Sequence, residues 1–294
     1  MKKILNTIMV LCALIVSLSG CKIAEEDHQE DVRGICMFKS WNVAMDDVTD
    51  EFLDVTFRFN AWYMLPDSMR PIVKDMYFPN YNIRQNGENS WKLEMNGKLQ
   101  YVVETDGQTL ARTGSHWTVT SFVSRCGTYV NMVWNKNVHY RNSTFSFGNI
   151  KMDIQTLQPY QWKIVINPQE QYGQSESFMD LVMTVPSQEM PTIVRKSSYQ
   201  LTGNGRFSFV DERFFDEEDN QEEVYLDFDI TEPLLRAGRN VSFWESGIIA
   251  LHGWSKDGRE RTEIARLSHN DEEGYVVSFL NNDYPQDEME YPYY

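Results

Sequence analysis

The chain has 294 residues, 27 Lys+Arg against 43 Asp+Glu, and a formal charge of −16. With 41% hydrophobic and 24% charged residues, it can build a core, but it has too little apolar sequence for a multi-pass membrane protein. The acidic balance excludes phosphate-neutralising nucleic-acid binding, which requires clustered Lys and Arg.

In chain order, Lys2 and Lys3 precede an apolar run from Ile8 to Leu18, which ends in Leu18-Ser19-Gly20-Cys21. A cationic start, a short apolar segment and small residues at the cut describe a secretory signal over residues 1–20. Leu18-Ser19-Gly20-Cys21 resembles a bacterial lipobox. That resemblance implies cleavage before Cys21, diacylation of its sulfur and acylation of the new amino terminus. Two or three acyl chains, at about 0.8 kcal/mol per buried methylene, make such an attachment stable. Behind Cys21, Glu25-Glu26-Asp27 resembles the acidic export signal of Bacteroidota surface lipoproteins, while Lys22 stands where the inner-membrane retention pattern of enteric bacteria has Asp. The resemblance implies anchoring in the outer membrane, facing outward. Cleavage would leave 274 residues with a charge of −18.

Cys12 leaves with the signal and Cys21 takes the lipid; Cys36 and Cys126 remain. In an exported chain these two either pair, closing a loop of about 91 residues worth roughly 4–5 kcal/mol on the chain-entropy scale, or stay as separate thiols. The cysteines and histidines show no zinc spacing, and neither a metal nor a cofactor is expected.

Residues 21–40 read as a lipidated tether. Over 41–63, Ala44, Val48, Phe52, Val55, Phe59 and Trp62 recur at helical steps, although Leu53, Val55, Phe57 and Phe59 also alternate like a strand. The longer window favours a helix. A second, short helix follows, capped by Asp67 or Ser68, with Pro71 in its first turn, Ile72, Val73 and Met76 on one face, and Pro79 as its stop.

From residue 83 onward the pattern is β. Asn96-Gly97 predicts a hairpin between Trp91–Met95 and Leu99–Thr105, and Asp106-Gly107 predicts another turn. Strands follow around Trp117–Val123, Phe145–Ile154 (with a phase change at Gly148-Asn149) and Trp162–Ile166. Trp91, Trp117 and Trp162 fall in phase with the core. The stretch 80–125 resembles the β-repeats of Bacteroidota lipoproteins to which no activity is attached. Pro186–Pro191 reads as a domain boundary, and Gly203-Asn204-Gly205 as a turn. Val224–Ile230, Ile248–Trp254, Arg261–Leu267 and Tyr275–Leu280 read as later strands, and 284–294 as a tail. The expected architecture is therefore mainly β (α+β): a helical segment plus an antiparallel β domain over 41–186, then a smaller β-sandwich-like domain over 192–283.

No catalytic motif is present. Gly173-Gln174-Ser175-Glu176-Ser177 fails as a nucleophile elbow at its last position, and no phosphate-binding glycine loop or metalloprotease helix occurs. His28, His116, His139, His252 and His269 are scattered. Asp211–Glu223 holds eight acids in thirteen residues. Its Asp211, Asp216, Glu217, Glu218 and Asp219 could offer oxygens to calcium, but without a glycine-turned loop the run reads as a solvated connection. Trp254, Tyr291, Tyr293 and Tyr294 are the rings expected to be exposed. The sequence thus reads as a lipid-anchored, non-catalytic binding module for a glycan or a surface protein. A hydrolase with dispersed carboxylates and an envelope assembly subunit are the alternatives.

Overall fold

The computed structural model describes residues 37–38, 41–42, 45, 52–123, 125–134, 137–147, 150–168, 178–215, 221–238, 244–254, 260–270, 274–280 and 288–291. Among the described residues, isolated helical positions at 37–38, 41–42 and 45 and two helices, α1 (Asp54–Tyr63) and α2 (Arg70–Tyr77), precede fifteen strands in one antiparallel sheet. The strands are β1 (Tyr81–Gln85), β2 (Ser90–Met95), β3 (Lys98–Thr105), β4 (His116–Ser121), β5 (Arg125–Trp134), β6 (Asn137–Phe147), β7 (Ile150–Gln158) and β8 (Gln161–Pro168). They continue as β9 (Phe178–Thr184), β10 (Tyr199–Phe215), β11 (Gln221–Arg236), β12 (Ser246–Trp254), β13 (Glu260–Asn270), β14 (Gly274–Phe279) and β15 (Glu288–Tyr291).

Local chemistry sets much of this order. Asn96 at φ 52° and Gly97 at φ 76° make the two-residue left-handed turn whose twist matches the β2–β3 hairpin. Thirteen strands neighbour one another in chain order, and the β5–β6 hairpin leaves the path. At residues 200–206, β10 pairs with β9, and further along, Val210 and Asp211 pair with Thr144 and Ser143 of β6. The phase change expected at residues 148–149 lies outside the described residues; β6 before it pairs with β5 and β10, and β7 after it with β4 and β8.

One hydrophobic cluster spans the molecule. Trp41 packs against Phe228 and Trp244, Phe52 against Tyr101, and Phe57 edge-on against Trp162 at 4.7 Å. The sheet thus covers the N-terminal helical residues with its apolar face, while polar partners such as Lys163–Asp180 and Thr118–Asp153 occupy solvent-accessible sites on the strands.

Several expectations meet this architecture directly. Within the ambiguous 50–62 stretch the helix α1 forms from Asp54 onward, and seven of its ten residues are buried. Met37 and Phe38, within the expected tether, are helical and buried. The chain on both sides of Pro186–Pro191 contributes to one sheet and one cluster, since β9 pairs with β10 and the Asp54 carboxylate accepts from the Val194 N–H at 2.8 Å. The strands after 192 extend the sheet of those before it. Gly203-Asn204-Gly205 is not a turn: it lies within β10, where the close approach of β9 leaves no room for a Cβ at Gly203. The acidic connection is shorter than expected, because β10 runs to Phe215 and β11 starts at Gln221. Within the expected tail, Glu288–Tyr291 pairs with β14.

Candidate functional site

Among the described residues, the exposed large apolar side chains concentrate where α1 passes into α2: Met64, Met69, Ile72 and Met76. Phe122, Leu157, Phe178 and Leu280 are the other exposed large apolar residues and lie on or beside separate strands; exposed apolar residues standing singly are ordinary, so it is the group at α2 that stands out.

The local sequence explains how α2 comes to show this face. Pro71 occupies the first turn, where its missing N–H costs nothing. Met69 stands at the cap position with no side-chain cap, so neither Asp67 nor Ser68 serves as the expected cap; Asp67 instead pairs with Arg70 at 2.9 Å. At the other end, Phe78 is buried beneath Phe59 and Tyr81, and Asn80 at φ 69° turns the chain into β1.

The two long cations of α2 face inward. Arg70 donates from Nε to the Leu65 carbonyl at 3.0 Å and from Nη2 to the Tyr63 carbonyl at 2.6 Å. Its guanidinium lies 4.8 Å from the Tyr63 ring centre and 5.7 Å from that of Trp62, whose indole N–H donates to the Arg70 carbonyl at 3.0 Å. Lys74 donates to the Tyr81 carbonyl at 2.7 Å and pairs with Asp75. The Arg70 and Lys74 side chains are only 23% and 27% exposed, whereas Ile72 and Met76 are 80% and 81% exposed. Arg70 and Lys74, four apart, share one helix face; Met69, Ile72 and Met76, at i, i+3 and i+7, share the other. The helix is amphipathic with its usual orientation reversed: bases inward, apolar stripe to solvent. Burying each such side chain would release about 1.5–3 kcal/mol, so the arrangement leaves a driving force for association unused within the chain.

An aromatic cluster lies beneath α2. Phe59, Trp62, Tyr63, Trp91 and Trp117 pack with ring centres 5.1–6.2 Å apart. The loop after β3 is clipped to α1: Asn60 Oδ1 accepts from the Leu110 N–H at 2.9 Å, and the Leu110 carbonyl accepts from Trp162 Nε1 at 2.8 Å and Thr156 Oγ1 at 2.9 Å.

Trp91, Trp117 and Trp162 are buried in the core. The three histidines whose side chains are described lie on different strands: His116 sits 3.8 Å from Asp153, His252 contacts Thr262, and His269 lies against Tyr275. His28 lies outside the described residues, and of His139 only the β6 backbone is described. The Asp54 carboxylate, buried, is engaged by Arg58 and the Val194 N–H. Among the described residues no group of three His, Cys, Asp or Glu is placed to hold a metal ion, and no helix is long and apolar enough to cross a membrane. Cys21, Cys36, Asp216, Glu217, Glu218, Asp219, Tyr293 and Tyr294 lie outside the described residues, while Asp211, Cys126, Trp254 and Tyr291 are placed by backbone only, in β10, β5, β12 and β15.

Sequence reasoning found the helix and its apolar face but gave it no function. Amphipathic spacing reveals two faces without saying which packs. The neighbouring Trp62 and Tyr63 rings, with the carbonyls of Tyr63 and Leu65 for Arg70 and of Tyr81 for Lys74, turn the basic face inward. No known protein family, curated protein or solved structure matches this chain.

Proposed function

We propose that the chain is a lipid-anchored protein of the bacterial outer membrane, attached through Cys21 and facing outward, that acts as a non-catalytic binding module for a surface protein. The anchor is supported by Leu18-Ser19-Gly20-Cys21 and the acids of 25–27. The observation that carries the binding role is the reversed helix α2, with Met69, Ile72 and Met76 turned to solvent. Aliphatic and thioether side chains adapt to an apolar protein surface, whereas sugar stacking calls for flat exposed rings. That difference favours a protein over a glycan.

Two measurements on the full chain in bacterial cells test this. Acyl labelling is expected in the wild type and absent in Cys21→Ser. Affinity isolation from solubilised outer membranes is expected to yield a protein that Ile72→Asp/Met76→Asp no longer retains. An unlabelled wild type would refute the anchor, and unchanged retention by the double variant would refute the site.

A further inference from the structure

We infer that α2 seats as a helix in a groove, and that its occupant is a partner protein whose apolar groove has a basic rim. This rests on reading the α2 face as a partner site and specifies the partner's chemistry. Met69, Ile72 and Met76 have the i, i+3, i+7 spacing with which an amphipathic helix anchors in a hydrophobic groove, and the aromatic cluster beneath α2 holds them in place.

Charge decides among the occupants such a face could take. At about 100° per residue, Asp75 falls beside Ile72 on the margin of the apolar stripe, and Asp67 stands just before the helix; both carboxylates are exposed. Their paired bases, Arg70 and Lys74, lie on the inner side and donate to the carbonyls of Tyr63, Leu65 and Tyr81. An approaching surface therefore meets an apolar stripe edged by carboxylates. A second copy of the cleaved chain would bring −18 against −18 and, about a two-fold axis, Asp75 toward its own image. A bilayer would have to accept Asp75 alongside Ile72, next to headgroups that are themselves anionic. A groove rimmed by Lys or Arg complements both the stripe and its edge. Three anchors fall short of the roughly 800 Å² per partner of a standard interface, so the contact is transient and gains from partners held in the same membrane, where tethering raises the effective concentration.

The test replaces Ile72 in the full chain with the photo-crosslinker p-benzoylphenylalanine, irradiates cells or isolated outer membranes, and maps adducts by peptide mass. The expected product is an adduct to one other protein, at an apolar segment with Lys or Arg close by. Its yield should fall about two- to five-fold when Asp75→Lys is added, and again when isolated membranes are moved from about 0.05 M to about 0.5 M salt, as expected for rim charges. An adduct to a protein segment lacking basic neighbours, or a yield indifferent to Asp75→Lys and to salt, would overturn the basic rim while leaving α2 a protein-binding face. Adducts of phospholipid mass, adducts to a second copy, or no adduct would overturn the inference and the protein-binding reading together.

Discussion

Leu110 shows how single polar groups fix the loop after β3 against the central helix. Its N–H is satisfied by Asn60, and its carbonyl by Trp162 and Thr156, all within the core. Asn60→Ala strands a buried N–H and is expected to cost about 1–3 kcal/mol in urea titration; an unchanged midpoint would show that the clip is not formed. Tyr101 supplies a pH dependence. Burial raises its pKa well above the usual tyrosine value, the nearby Tyr81 adds to the rise, and Arg58 opposes it. The unfolded chain then ionises first, so stability is fully present below about pH 10 and declines as the pH rises beyond it. Tyr101→Phe is expected to make the urea midpoint fall less steeply between about pH 9 and 11, and an identical slope would contradict the assignment. Trp91, Trp117 and Trp162 were legible because each falls on the apolar phase of a strand. The role of Asn60 was not, because its partner lies 50 residues away in a loop.

At the scale of elements, α1 looked both helical and strand-like for a physical reason. It is buried nearly all round, with Leu53, Val55, Phe57 and Phe59 inside as well as Phe52 and Trp62, so no polar face was available to set the period. Its polar residues are engaged inside the core, near and far along the chain: Thr56 donates to the Phe52 carbonyl, and Asp54 accepts from the Val194 N–H. The Asn96-Gly97 hairpin was legible because only a few residue pairs take that turn. Gly203 was misleading. A glycine pair around Asn suggests a turn, yet here it marks a close approach of β10 to its neighbour β9, opposite a register shift in the β10–β11 pairing, with φ +127°. A Cβ at Gly203 would overlap the Asp180 carbonyl and come within 2.9 Å of Leu181 Cα. Gly203→Ala is expected to destabilise the chain by at least about 1–3 kcal/mol and to raise amide exchange along β9. Unchanged exchange in β9 would contradict this packing.

At the scale of the molecule, the mainly β, antiparallel character was legible from repeated alternation between turn residues. The number of sheets was not, because a sandwich and a single sheet wrapped over helices present the same strand pattern. Pairing decides it: β9 pairs with β10, which joins earlier and later strands in one sheet, and Trp41, near the start of the described chain, touches Phe228 and Trp244 of the late strands and their connection. The sheet satisfies its apolar face with the N-terminal helical residues, and α2, held at the margin of that assembly by its basic side, keeps an apolar face for something else. This face takes no part in the chain's own stability. Urea denaturation of Ile72→Ser/Met76→Ser tests it most directly. A change within about 0.5 kcal/mol per substitution is predicted, as for surface sites; a loss of about 2–5 kcal/mol for each, as for core truncation, would mean that the face is buried in the protein itself.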